Sequence, residues 1–133
     1  MLIATAVTAS ILSFLYVKLS LNVIRYRQKY DVSIGDGDHE DLFRAIRAHA
    51  NLTEYAPIAL ILLACLEINR APLWIVSILA AMFIIGRLLH PVGMKSSKSP
   101  WQARVWGIQL TLLSLIAIGV ANIVVVGMLV FAH

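Results

Sequence analysis

The segment Arg44 to Pro57, RAIRAHANLTEYAP, places residues with strong hydrogen-bonding chemistry at helical spacing. Arg44, Arg47, Asn51 and Glu54 stand at i, i+3, i+7 and i+10, so at about 100° per residue they stay within about 80° of arc. A guanidinium recognises a carboxylate or phosphate, a carboxylate recognises an ammonium, and an amide both donates and accepts. A second group follows at Gly86 to Pro91, GRLLHP, where Arg87 and His90 lie one turn apart on one helix face. Arg104 follows across a short linker. Cations from three segments, one carboxylate and one amide suit a small anionic molecule that also carries an amine. Glu54 lies roughly 10 Å along a helix from Arg47, so its expected partner is another helix, another subunit or a ligand. Pro57 removes the hydrogen bond to the carbonyl of Thr53 and is expected to kink the helix beside Glu54.

The elements that carry these residues are membrane spans. Of 133 residues, 60% are hydrophobic and 14% charged, where a soluble domain carries about 25% charged; mean hydropathy is +0.85. Coiled coils, disordered tails and disulfide scaffolds are excluded, and the single cysteine, Cys65, sits among Leu62, Leu63, Ala64 and Leu66. The expectation is one all-α transmembrane domain over 1–133, with spans at about 2–24, 48–67, 72–93 and 102–131. Residues 25–47 form the long polar segment, and breaks fall at Asn69 to Pro72 and at Ser96 to Pro100. Lys18 is expected to reach the interface by its long stem. No basic residue precedes the first span, which argues against a cleaved signal peptide.

The second span is weakly apolar in its first half, so charge asymmetry decides between three spans and four. With four, the six basic residues from Lys18 to Arg47 and the four from Arg87 to Arg104 share one side and Arg70 alone lies opposite. Basic residues gather on the cytoplasmic side, so the charged loops are expected there and both termini outside. The net charge of +4 then reflects orientation, and no nucleic-acid partner is expected.

Small residues at helical spacing, Ala6, Ala9, Ser13 and Ser20 in the first span and Gly107, Thr111, Ser114, Ala121 and Asn122 in the fourth, mark expected packing seams. His49 points about 160° away from Asn51 and is expected to bond a neighbouring helix or loop. Tyr55 and Cys65 are expected to pack. The run Gly35 to Asp41 lacks calcium-loop and zinc-ligand spacing; it is expected to cap the next helix, and no metal is expected.

The two motifs together resemble the MAPEG family, the membrane-associated proteins in eicosanoid and glutathione metabolism. RAIRAHANLTEYAP is similar to the family's R-x-H-x-N-x-x-E-x-x-P signature, and GRLLH to its third-helix signature. The resemblance implies a short bacterial-type member in the inner membrane. It further implies a homotrimer of four-helix bundles, with glutathione or a related thiol bound between subunits and a lipophilic second substrate arriving from the bilayer. Arg47, Asn51, Glu54, Arg87 and His90 are then the expected glutathione-binding residues. Arg104 is the expected catalytic residue beside the sulfur, and Arg25 or Arg27 matches a further basic position loosely. Conjugation to an electrophile and reduction of a lipid hydroperoxide are the implied reactions. Ala50 and Met94 depart from some eukaryotic members, which carry Arg and Tyr there, and this argues against eicosanoid synthesis. The alternatives are a non-catalytic membrane protein on the same bundle and, with less support, a small transporter.

Overall fold

A computed structural model describes residues 1–95 and 99–131; of the second expected break, Ser96, Ser97 and Lys98 lie outside the described residues. Four helices follow in order: α1 (Ile3–Tyr30), α2 (Glu40–Ile68), α3 (Leu73–Val92) and α4 (Trp101–Phe131). All four are long and apolar enough to cross a membrane, and the protein is an all-helical membrane bundle. The expected polar segment 25–47 is mostly helix, because α1 and α2 project past their apolar stretches, leaving a loop at 31–39. Asp31 stops α1 in the left-handed region, at φ 54°, its N–H donating to the carbonyl of Arg27. Tyr30 then stacks on His39 at 3.9 Å between ring centroids, closing the loop. His39 is the N-cap of α2 but makes no side-chain capping bond. The acidic run instead acts through Glu40 and Asp41 in the first turn, where carboxylates complement the positive end of the helix dipole.

The interior forms two clusters. Leu12, Leu15 and Leu19 of α1 meet Ala48, Leu52 and Ala59 of α2 and Phe83 of α3; Ala4, Leu63, Leu66, Val76, Ala80 and Ile118 fill the other end. The inward face of α1 is therefore Ala4, Thr8, Leu12, Leu15 and Leu19. This corrects the expected small-residue seam: Ala6 and Ser13 are exposed and face away from this bundle. Their spacing defines a face, while the larger residues on the adjoining face fill the space between helices. On α4 the seam holds, with Gly107, Thr111 and Ser114 buried.

The closest approach is between α3 and α4. A Cβ at Gly86 would lie 2.9 Å from the Gly107 carbonyl oxygen, and one at Gly107 would lie 2.7 Å from the His90 nitrogen. Both are below contact distance with backbone that cannot move aside. In lipid no hydrophobic drive holds helices together, so such close packing and interhelical hydrogen bonds take its place. At the opposite end of the bundle Glu67 accepts from the N–H groups of Ala4 (3.0 Å) and Thr5 (2.7 Å) and from the Thr5 hydroxyl (2.6 Å). These donors of the first turn of α1 have no partner within the helix, and a carboxylate from the last turn of α2 satisfies them. Asn122 of α4 donates to the carbonyl of Leu62 at 3.0 Å, tying α4 to α2.

Candidate functional site

The expected site residues separate into an inner and an outer group. Arg87 is 2% exposed. Its Nε donates to the Thr111 hydroxyl at 2.8 Å, and Nη1 donates to Asn51 Oδ1 at 2.6 Å and to the Asn51 carbonyl at 3.3 Å. The guanidinium also lies 5.1 Å from the centroid of the Tyr55 ring, within cation–π range. Arg87 was expected at the ligand surface; the structure places it inside, where it bolts α2, α3 and α4 together. The reason is the Gly86–Gly107 approach, which brings Thr111 under the Arg87 stem. Nη2 is buried with no hydrogen-bond partner among the described residues. Arginine has donors only, so the contact fixes the Asn51 amide with Oδ1 inward and its NH₂ without a protein acceptor among the described residues.

The outer group is Arg47 and Glu54. Their side chains are 50% and 53% exposed, and Arg47 Nη1 lies 3.9 Å from Glu54 Oε1. This corrects the expectation that a direct pair within the helix is out of reach. The rise along the axis separates backbones, whereas the long arginine stem covers much of that distance. At 3.9 Å the contact is an ion pair beyond hydrogen-bond length. The polar face is also not turned into this bundle: α2 buries Ala45, Ala48, Leu52, Ala59 and Leu63, on the far side from Arg47 and Glu54. Arg44 is taken by Glu40, Nη2 to Oε1 at 2.5 Å.

His90 is buried at the end of α3, one turn from Arg87. Of the three expected cations from three helices, Arg87 is buried and Arg47 and Arg104 are exposed. Arg104 opens toward Met94, Nη1 to Sδ 3.9 Å, because Gly93 lets α3 end against the backbone of α4: a Cβ there would lie 2.5 Å from the Arg104 nitrogen. His49 behaves as expected, with Nε2 3.0 Å from the Ser20 hydroxyl of α1 and its ring 4.7 Å from that of Tyr16. Sequence reasoning missed the link from Thr111 to Arg87. The only signal was that Thr111 occupies the α4 seam one turn from Gly107.

The depth of Glu54 decides how the outer pair is read. About 30 Å of hydrocarbon takes about twenty helical residues, and counted back from the Asn69–Pro72 break this reaches roughly His49. Glu54 is thus a half-exposed carboxylate below the level of the membrane surface, on the outside of a single bundle. The sequence pattern of the MAPEG family matches residues 5–124. The chain belongs to the MAPEG family. It is 35% identical over 119 residues to the inner membrane protein YecN in two strains of Escherichia coli, covering 90% of this chain and 89% of the relative. This MAPEG member is therefore an integral, multi-pass membrane protein.

Proposed function

We propose that the outer polar face of α2 binds glutathione or a related thiol, completed by a neighbouring copy in a homotrimer, for transfer to or reduction of lipophilic substrates. The observation that carries this reading is the half-exposed Arg47–Glu54 pair at membrane depth. An ionised side chain there costs at least about 2.5 kcal/mol by insertion scales, and a polar partner or ligand covering it removes that cost. Glutathione has two carboxylates and one ammonium, which match Arg47 and Glu54, while the outward NH₂ of Asn51 donates to a carbonyl or carboxylate. Arg87 and His90 act from behind: Arg87 orients Asn51 and adds positive potential without touching the ligand.

Arg104 is the catalytic residue of this proposal. A free thiol has a pKa near 8.5, and a neighbouring cation lowers it so that more thiolate is present at neutral pH. The thiolate attacks an electrophilic carbon and displaces its leaving group, or attacks a hydroperoxide oxygen with release of the alcohol, a second thiol then closing the disulfide and releasing water. Lipophilic substrates arrive from the bilayer, and the charged loops face the cytoplasm with both termini outside. Met94 favours a second reading, a non-catalytic member binding a lipid or partner: the group beside Arg104 is a thioether, which cannot donate a proton to a leaving oxygen. A transporter has less support, because its polar groups should run through the membrane depth and these collect at one end.

Calorimetry with glutathione on the detergent-solubilised protein tests the proposal. Saturable binding that is lost in Glu54→Gln, and a bound thiol whose pKa rises toward about 8.5 in Arg104→Ala, are the expected results. No binding at millimolar glutathione sinks the enzyme reading.

A further inference from the structure

Away from the Arg47–Glu54 face, α1, α2, the end of α3 and the residues just after it line an open-sided cavity of about 370 Å³. Its walls are apolar, with Leu15, Leu19, Ala48 and Leu88, while Lys18, Arg25, Arg44 and Lys95 supply cations against one acid, Asp41. Arg44 is tied to Glu40 and Asp41 accepts from the Tyr30 hydroxyl at 3.4 Å. Among the described residues Lys18, Arg25 and Lys95 have no carboxylate partner. Neither Arg47, Asn51 nor Glu54 lines this space, which adjoins the site above only at Met94, the neighbour of Arg104.

Lys18 is the informative residue. Its neighbours Leu15 and Leu19 pack with Ala48 and Leu52 and Ser20 meets His49, which sets Lys18 level with the Asn51 region, inside the apolar stretch of α1. Its side chain is exposed and lines the pocket, on the way to the interface that its stem was expected to reach. Two residues below the Ser20–His49 level, Lys18 stands just inside the apolar stretch, where a cation without a carboxylate partner can meet an anionic head group held at the interface. The volume lies at the small end of ligand pockets. That suits one short chain.

We infer that this cavity is a second binding site, for a single-chain amphiphilic anion whose carboxylate or phosphate meets Lys18, Arg25 and Lys95 and whose apolar tail lies against Leu15, Leu19 and Leu88. The same head-and-tail chemistry occurs in fatty carboxylates and in alkyl phosphates.

The test is calorimetric titration of the purified full chain, in non-ionic detergent, with decanoate, decyl phosphate, decanol and inorganic phosphate. Decanoate or decyl phosphate is expected to bind saturably at one per chain, with decanol and inorganic phosphate at least tenfold weaker. Lys18→Gln is expected to weaken the preferred anion at least tenfold with unchanged glutathione titration, and Glu54→Gln to leave the amphiphile affinity intact. Equal amphiphile affinity in wild type and Lys18→Gln overturns the inference, as does inorganic phosphate binding as tightly as decanoate. Loss of amphiphile binding in a folded Glu54→Gln overturns the separateness of the site. If Lys18→Gln does not fold, Lys95→Gln at the exposed end of α3 takes its place with the same expected loss.

Discussion

The α3–α4 crossing and the outer face of α2 solve the problem of polar groups in a membrane in opposite ways. At the crossing, Gly86 and Gly107 bring two backbones together, and Arg87 is sealed inside with Thr111 and Asn51 as partners. On α2, Arg47 and Glu54 face outward with a single loose contact between them. A motif arginine can therefore be a structural bolt or a ligand-facing charge, and burial separates the two. Asn51 belongs to both regions, held from within and open from without.

Substitution at the crossing should have the largest effect. Gly107→Leu forces a side chain into the backbone of α3, and overpacking costs of about 3 kcal/mol or more predict loss of the folded state in detergent, checked by thermal unfolding. Next is Arg87→Ala. It leaves a cavity and an unpaired Asn51 Oδ1, and a loss of about 2 kcal/mol in stability is expected together with weaker glutathione binding, since Asn51 is no longer oriented. Equal stability of Arg87→Ala and wild type would break the distinction between the regions. Glu54→Gln should do the reverse: stability within about 0.5 kcal/mol of wild type, and glutathione affinity at least about tenfold lower, equivalent to about 1.4 kcal/mol. Glu67→Gln, at the far end of the bundle, falls between these two in stability, because a weaker cap on α1 costs about 1 kcal/mol, seen as faster hydrogen exchange at Ala4 and Thr5 with unchanged glutathione affinity.

The sequence made some of this legible and hid the rest for physical reasons. Four spans follow from hydropathy and charge asymmetry, and the α4 seam from Gly107, Thr111 and Ser114, because a helix repeats every 3.6 residues wherever it sits. The α1 seam misled, since periodicity gives a face without naming the neighbour that meets it. Arg87 and His90 share a face as expected, but the burial of Arg87 depends on Asn51, 36 residues away, and on Thr111, 24 residues away. The Arg47–Glu54 contact was missed because a rise per residue measures backbone and not the reach of a guanidinium. The cavity around Lys18 draws its walls from three helices, and no local pattern announces it.

The carboxylate of Glu67 also sets an order of events during synthesis. Its partners are the N–H groups of Ala4 and Thr5, 63 and 62 residues earlier in the chain. At about 5–20 residues per second, α1 emerges from the ribosome roughly 3–12 s before the group that completes its first turn exists. For that interval the leading end of α1 depends on interfacial water for its hydrogen bonds. It can lock in place only after α2 has been threaded and returned to the same surface, which ties the securing of the first helix to the completion of the second.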